Sequence, residues 1–98
     1  MKTFYVYILA SPTRTLYTGF TSNLANRLWQ HRNKATPGFS SRYHAVRLVY
    51  FEAVSEGIAG IAREKQIKAW NREKKVALIE ATNPKWDDLA ARLGIDAR

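Results

Sequence analysis

The alternation of side chains at the start of the chain predicts two paired strands. Residues 4–9 read FYVYIL, an aromatic and β-branched run whose side chains point alternately to two faces. The Ser-Pro-Thr sequence at 11–13 is typical of a turn, and a second short strand is predicted over residues 16–20. We expect an antiparallel hairpin that brings Tyr7 and Tyr17 close together.

The second strand leads directly into a predicted helix. The Thr-Ser-Asn cluster at 21–23 has the composition of a helix start, because such side chains accept hydrogen bonds from the first free amides. Helical spacing then places Leu24, Arg27, Leu28 and His31 on the face toward the protein. An arginine and a histidine therefore adjoin an apolar stripe.

Each polar residue at this junction has an ordinary structural explanation. Tyr17 suits a strand, Arg27 can lie along the surface, and His31 suits a helix C-terminus, where the helix dipole favours a cation. Gly19 shares a strand face with Tyr17 and permits close approach of another group. Taken together, these four residues predict a polar site where the strand meets the helix.

The rest of the chain predicts a third strand and further helices. Residues 46–53 are apolar on both faces apart from one arginine and one glutamate, which is typical of a central strand. Ser55 is expected to cap a helix over residues 57–70, and Asn71 a helix over 72–81. A last short amphipathic helix is predicted to end at Gly94, with inward residues Trp86, Leu89, Ala90 and Leu93.

These elements define an α/β fold class, with a small three-stranded, mainly antiparallel sheet flanked by helices. The length of 98 residues and the hydrophobic content of 46% predict one domain over 1–98, with a core to about residue 83 and a helical extension over 84–98. The absence of cysteine excludes disulfides and thiolate zinc sites. No apolar run approaches the ~20 residues of a membrane span, so we expect a soluble, cytoplasmic protein.

The charge balance predicts a polyanionic partner. The sequence has 16 Lys and Arg against 8 Asp and Glu, a net charge of +8. Contacts between such residues and phosphates release condensed counterions, and the interleaved aromatic residues could stack on bases. Nucleic acid is the favoured partner. The alternative is that this chain is simply a soluble basic protein or one associated with the ribosome.

One loop segment has a composition suited to binding nucleic acid. Residues 33–44 combine loop-forming, basic, hydroxyl and aromatic residues between two regular elements. Lys34, Arg42 and Tyr43 are the candidate contacts there. The alternative is a solvated connector with Tyr43 held against the core, and no pattern supports a catalytic role for His44.

Glu64 stands out in the second predicted helix. It lies on an apolar track with Ile58, Ile61 and Ile67, where a carboxylate is costly unless it is paired or bound to a metal. The sequence alone favours a salt bridge with Lys68, four residues later in the favourable order. Lys68 is also a candidate nucleic-acid contact.

The motifs resemble those of the GIY-YIG nuclease superfamily. The Tyr-Val-Tyr sequence at 5–7, the Tyr-Thr-Gly sequence at 17–19, Arg27 and Glu64 carry the resemblance. That superfamily includes the N-terminal domain of a bacterial excinuclease component, some homing endonucleases and some restriction enzymes. The whole chain is most similar to its small stand-alone bacterial members.

Two positions depart from the motifs that give the superfamily its name. Tyr5 stands where the first motif has Gly, and Thr18 stands where the second has Ile. Since the middle positions of both motifs vary in the superfamily, the tyrosines and Gly19 carry the identification. Tyr5 and Gly19 are expected to have structural roles in the motifs.

The resemblance implies a DNA endonuclease that hydrolyses phosphodiester bonds with one divalent cation, Mg²⁺ or Mn²⁺, on substrates that include branched or damaged DNA. With the resemblance, Glu64 becomes the expected metal ligand, and Arg27 would hold the phosphate oxygens. Tyr7, Tyr17 and His31 are three unranked candidates for the general base, since a free tyrosine has a pKa of about 10.

The superfamily also has a functional asparagine after its glutamate. Asn83 is the candidate here, with a structural role for Asn83 as the equal alternative and Asn71 as the weaker one. The alternative function is a non-catalytic DNA- or RNA-binding module that keeps the fold. Because the chain is one domain, a protein partner that supplies substrate specificity is a further expectation.

Overall fold

The computed structural model describes residues 2–33 and 46–95. The three predicted loop contacts, Lys34, Arg42 and Tyr43, lie outside these ranges. The described residues form three strands, three α-helices and one short 3-10 helix. In chain order they are β1 (Phe4–Ala10), β2 (Leu16–Thr21), α1 (Leu24–Arg32), β3 (Arg47–Val54), α2 (Gly57–Ala69), α3 (Arg72–Thr82) and the 3-10 helix (Ala91–Leu93).

The strands form one antiparallel sheet in the order β2-β1-β3. The predicted hairpin is confirmed, because Tyr7 pairs with Gly19 and Leu9 with Tyr17. The prediction that the strand at 46–53 is central was wrong. β1 is the central strand, and β3 is apolar on both faces because helices and the C-terminal segment cover it at the edge.

Two layers of apolar side chains cover the sheet. On one face, α1 packs Leu24 and Leu28 against Tyr7 and Leu9 of β1. On the other face, α2 and α3 pack against the opposite side of β1, as the alternation of its side chains requires. The polar site residues of α1 therefore face one side of the sheet, and α2 approaches from the other.

Gly60 explains how α2 lies so close to the sheet. A Cβ atom at this position would lie 2.9 Å from Cγ2 of Val54 and would also overlap the ring of Phe20. The glycine weakens helix propensity by about 1 kcal/mol relative to alanine, but it allows the close packing.

Two of the three predicted helix caps are confirmed. The Oδ1 atom of Asn23 accepts a hydrogen bond from the amide of Asn26 at 3.0 Å, and Asn71 accepts one from the amide of Lys74 at 2.9 Å. The predicted cap at Ser55 was wrong. Helix α2 begins at Gly57, as predicted, but its N-cap residue is Glu56, which forms no side-chain capping bond.

The prediction of a last amphipathic helix was also wrong. Only the 3-10 helix forms there, and Trp86 has a positive φ of 56°, which interrupts a right-handed helix. The segment instead covers the outer edge of β3, since Leu89 donates its amide proton to the carbonyl of Leu48 at 2.8 Å. Leu89 is buried as predicted, whereas Leu93 is 39% exposed.

None of the helices in 2–33 and 46–95 combines the length and the apolar character that crossing a membrane requires.

Candidate active site

Tyr7 lies at the centre of the candidate site, over Gly19. It is in the middle of β1, its side chain is 1% exposed, and Gly19 is its partner on β2. A Cβ atom at position 19 would overlap the phenol ring and its hydroxyl group. The glycine is required here because the phenol occupies the space that any larger side chain would need, as the sequence predicted.

Three rings from three elements form the Tyr7–Tyr17–His31 cluster. The ring centroids of Tyr7 and Tyr17 are 6.3 Å apart, those of Tyr17 and His31 5.1 Å, and those of Tyr7 and His31 6.3 Å. The hydroxyl of Tyr7 lies 3.4 Å from Nε2 of His31, which is a long hydrogen bond. The predicted convergence of β1, β2 and α1 is therefore present.

The electrostatic surroundings keep Tyr7 neutral. Burial raises the pKa of the Tyr7 phenol well above its ordinary value, and Tyr17 and Glu64 raise it further. The charge and hydrogen bonding of Arg27 lower the pKa, as the sequence predicted, but burial outweighs them. Tyr7 is therefore a phenol at neutral pH and needs a proton acceptor if it is to take a proton from water.

His31 has the properties of such an acceptor. Its side chain is 2% exposed, and burial, followed by the positive charge of Arg27, lowers the pKa of the imidazole. The residue is neutral at pH 7, which argues against the alternative of a cation held by the helix dipole. Its Nδ1 atom is buried without a hydrogen-bond partner among the described residues.

Glu64 of α2 completes the set from the opposite layer. Its charge raises the pKa of Tyr7, whereas Arg27 of α1 lowers it, so side chains from helices on both faces of the sheet act on the Tyr7 phenol. The carboxylate forms the predicted salt bridge with Lys68 at 2.8 Å and is 16% exposed. The Nζ atom of Lys68 lies 6.0 Å from the centre of the Tyr17 ring.

A divalent cation fits this donor set only with help from a substrate. The residues in 2–33 and 46–95 include no group of three or more His, Asp or Glu that could hold a metal ion. Mg²⁺ commonly binds through one or two carboxylates and completes its shell with waters and substrate phosphates. The single carboxylate of Glu64 suits such a weakly held cation and does not suit a closed structural metal site.

Two predicted residues occupy structural positions. Tyr5 shares the sheet face of Tyr7 and packs edge-on against Phe51, with ring centroids 6.4 Å apart. Asn83, predicted as catalytic, ends α3 and is 2% exposed. Its amide donates to the carbonyls of Val49 at 3.0 Å and Asp87 at 2.9 Å, and its Oδ1 accepts from the amide of Asp87 at 3.0 Å.

The hydrogen bonds of Asn83 support the structural alternative to a catalytic role. Both of its amide protons and its carbonyl oxygen are used to fix the turn after α3 against β3. Asn71 serves as the N-cap of α3. The sequence pattern could not separate these roles, because the segment after the helix has no fixed spacing relative to Glu64.

One further group of residues could not be predicted from the sequence. Arg14 in the β1–β2 turn stacks over Trp86, with its Cζ atom 4.4 Å from the ring centroid, beside a cleft that Arg47 also lines. The only available signal was a basic residue in a turn. A contact across seventy residues leaves no periodic pattern.

Comparisons with known proteins agree with this geometry. Residues 3–77 match the family model described as "GIY-YIG catalytic domain". A UPF0213 protein of Haloquadratum walsbyi is 36% identical over 76 residues, which cover 78% of this chain and 85% of that protein. A UPF0213 protein of Clostridium perfringens is 33% identical over 91 residues, covering 93% and 98%.

The fold also matches an experimental structure. The solution NMR structure of a UPF0213 protein from Bacillus halodurans has a TM-score of 0.59 at 24% identity, covering 88% of this chain and 92% of that one. That likeness concerns the fold, whereas the sequence matches concern the family. The chain belongs to the GIY-YIG family of nuclease domains and, within it, to the UPF0213 proteins.

Proposed function

We propose that this protein is a DNA endonuclease that hydrolyses phosphodiester bonds with one divalent cation, Mg²⁺ or Mn²⁺. Nucleases of this family generally depend on a divalent metal. The observation that supports the proposal most is the convergence of two phenols, an imidazole, a guanidinium and a carboxylate from both layers of the fold at β2. Hydrolysis needs a proton acceptor, charge stabilisation and help for the leaving oxygen, and these groups can supply all three.

Arg27 is the proposed phosphate ligand. It is half-buried on the inner face of α1, and its charge reaches the Tyr7 phenol. A planar guanidinium can donate two parallel hydrogen bonds to non-bridging phosphate oxygens. Such donors lower the barrier where negative charge accumulates during phosphoryl transfer.

Tyr7 and His31 are the proposed proton relay. In the Nδ1–H tautomer of His31, the Tyr7 hydroxyl would donate to Nε2, and the phenol oxygen, which also interacts with Arg27, would keep one lone pair for the attacking water. As the water loses its proton to the Tyr7 oxygen, the phenol proton passes to Nε2, and His31 becomes an imidazolium. This route avoids a free phenolate, whose formation the burial of Tyr7 opposes. Burial and Arg27 also oppose the imidazolium of His31, so the negative charge of the bound phosphate would have to stabilise it. Tyr17 is half-buried beside both groups and would orient the water.

Glu64 is the proposed ligand of the cation. When bound, the cation would neutralise charge on the phosphate and assist the leaving oxygen. Lys68 already occupies one side of the carboxylate, so it would have to share Glu64 with the cation. Lys68 is then well placed to contact a phosphate as well.

The positive charge of the chain and three loop residues support nucleic acid as the substrate. The net charge of +8 suits a polyanion, and Lys34, Arg42 and Tyr43 are retained as proposed contacts in the loop outside the described residues. Branched or damaged DNA in a repair setting is the proposed substrate class, in the cytoplasm. A protein partner is proposed to select the site, because a single small domain offers little surface for recognition.

A non-catalytic nucleic-acid-binding module is the second candidate function. It is favoured by one observation, the salt bridge that already engages Glu64 with Lys68. In a pure binder, this pair would serve only to stabilise α2.

Incubation of the purified protein with nicked, branched, single-stranded and duplex DNA, and with matched RNA, tests the proposal. Each reaction is run with EDTA, Mg²⁺ or Mn²⁺. We expect metal-dependent cleavage of DNA that Glu64→Ala abolishes while DNA affinity is kept, since removal of the carboxylate also lowers repulsion of phosphates. Glu73 is an exposed acidic residue on α3, so Glu73→Ala is the matched control. This variant should cleave DNA normally. Equal loss of cleavage and binding in Glu64→Ala, or cleavage that survives the substitution, would contradict the assignment.

A further inference from the structure

A second basic site lies at the hairpin end of the sheet. A cleft of about 250 Å³ opens there between the β1–β2 turn, the start of β3 and the segment after α3. Arg14, Arg47 and Trp86 line it. This cleft lies outside the Tyr7–Tyr17–His31 cluster, and the mechanism above does not use it.

The turn holds Arg14 in an unusual backbone conformation. Its φ is +63°, the left-handed region, which costs a residue with a side chain about 1 kcal/mol or more. Three hydrogen bonds fix the turn: Arg14 donates its amide proton to the carbonyl of Ser11 at 2.8 Å, Ser11 to that of Thr15 at 3.0 Å, and Thr15 to Oγ of Ser11 at 3.0 Å. The backbone is therefore fixed in a geometry for which glycine is usual, yet an arginine occupies it.

Trp86 fixes the side chain of Arg14. Trp86 is 2% exposed, and its Nε1 donates to Oε2 of Glu80 at 2.7 Å, so the indole is held in place. The guanidinium of Arg14 lies over the indole, with Cζ 4.4 Å from the ring centroid. Stacking occupies the face of the guanidinium but leaves the N–H groups at its edge able to bind an oxyanion.

Arg47 supplies a second positive charge to the cleft. It is the exposed first residue of β3 and pairs in the sheet with Ala10. In 2–33 and 46–95, no ion pair joins Arg14 or Arg47 to a carboxylate. By contrast, Arg32 and Arg63 have carboxylate partners at 2.5 Å and 2.8 Å. Two guanidinium groups therefore line one cleft, and within the described ranges neither is paired with a carboxylate.

We propose that Arg14 and Arg47 bind backbone phosphates of the nucleic acid, away from the bond that is cut. The inference rests on the proposed function, because the ligand is the same nucleic acid. Ala10 lines the cleft and pairs with Leu16, the neighbour of Tyr17. Ala10 belongs to the apolar layer under α2 and α3 and Tyr17 to the layer under α1, so the cleft adjoins the candidate active site along the strands but opens on the opposite face of the sheet. A strand that passes the hairpin end can contact both. The role of the cleft is affinity and placement, without part in the chemistry.

Salt dependence of DNA binding separates this role from a general effect of charge. Affinity for a fluorescein-labelled duplex is measured by anisotropy in EDTA over a series of salt concentrations. Each phosphate contact contributes about 0.9 to the slope of log K against log salt. We expect Arg14→Ala/Arg47→Ala to reduce the slope by roughly 0.9 to 1.8 and to bind at least tenfold more weakly at low salt. Cleavage at saturating DNA should stay within about twofold of wild type.

Two further variants keep the test independent of folding. Arg92→Ala removes the same charge from an exposed arginine that Asp87 already pairs at 3.8 Å, and should leave the slope nearly unchanged. Arg47→Ala alters an exposed side chain without touching the stack on Trp86, and should lower the slope by about 0.9 with an unchanged melting temperature.

The outcomes decide between the proposals. A reduced slope in a protein that cleaves no nucleic acid supports the cleft and contradicts the proposed nuclease. An unchanged slope in folded Arg47→Ala and double variants overturns the cleft and leaves the nuclease proposal standing. Weaker binding of polyglutamate with unchanged DNA binding would assign the cleft to an acidic protein and would also overturn the proposal.

Discussion

Two groupings of tyrosine, carboxylate and arginine in this small fold have different properties. In the first, on β3 and α2, Tyr50 donates a hydrogen bond to Glu52, and Arg63 donates from Nε at 3.0 Å and from its terminal nitrogen at 2.8 Å to the same carboxylate. Every charged group has a close partner. Burial, followed by the hydrogen bond to Glu52, raises the pKa of Tyr50 to about 12.

In the second grouping, Tyr7, Arg27 and Glu64 meet with His31 at β2. The Tyr7 hydroxyl has a long contact of 3.4 Å, and the Nδ1 atom of His31 has no partner among the described residues. Unpaired buried polar groups cost stability and are concentrated at functional sites. The same side-chain types therefore stabilise the fold in one place and leave capacity for a ligand in the other.

The largest effect is expected when Arg27 is removed from the second grouping. We expect Arg27→Ala to reduce turnover by about 10²- to 10³-fold, the range found when a donor to a developing oxyanion is removed. The dissociation constant for DNA should change much less. Single-turnover cleavage and anisotropy measure the two quantities separately. A loss of affinity with normal turnover at saturating DNA would make Arg27 a docking residue.

The next effect concerns the space that Gly19 leaves for Tyr7. Gly19→Ala places a methyl group inside the volume of the phenol, so we expect a loss of about 1–3 kcal/mol of unfolding free energy together with most of the cleavage. Gly57→Ala is the matched control. Its Cβ would lie 3.5 Å from Phe4, an ordinary contact, and should leave both properties intact. Urea unfolding and cleavage assays provide the measurements, and equal behaviour of the two variants would refute the steric argument.

The sequence predicted local features of this site well and distant contacts poorly. Alternation on β1 and helical spacing on α1 placed Tyr7, Tyr17 and His31 on converging faces, because both periods are set by backbone geometry. The spacing did not predict that Tyr7 would be so fully buried, since burial depends on all the elements around it. Trp86 and its contact with Arg14 required tertiary information for the same reason.

The order of the strands was the other failure. Residues 46–53 look central because both of their faces are apolar, but the C-terminal segment covers the edge through Leu89 and Asp88. A pattern of apolar residues reports how buried a strand is without reporting what buries it. For the same reason the sequence left two roles open for Asn83, whose hydrogen bonds to Val49 and Asp87 join this covering segment to β3.

A smaller effect is expected in the fully paired grouping. Arg63→Met leaves Glu52 without its guanidinium partner, so we expect a loss of about 1–2 kcal/mol of unfolding free energy and normal cleavage. Replacing both residues, in Glu52→Gln/Arg63→Met, should recover part of the loss, because no unpaired charge remains. A double-mutant cycle by urea unfolding measures the coupling. A strong loss of turnover in Arg63→Met would show that the two groupings are not separate.

The smallest expected effect is a difference between the two groupings in how stability depends on pH. Burial and Arg27 hold the pKa of His31 below its usual 6.5 in the folded state, so the unfolded chain binds the proton more readily. The contribution of neutral His31 to the free energy of unfolding is complete above pH 6.5 and is lost as the pH falls below that value. Glu52 behaves differently. Burial raises the pKa of its carboxyl group, but the hydrogen bonds from Arg63 and Tyr50 outweigh this effect, so the pKa is lowered overall. The contribution of Glu52 to the free energy of unfolding is therefore lost only as the pH falls through its lowered pKa. Melting temperatures should therefore decline between pH 7 and 5 in the wild type and less steeply in His31→Gln, while Glu52→Gln should keep the decline. An equal decline in wild type and His31→Gln would mean that His31 does not titrate as its burial requires.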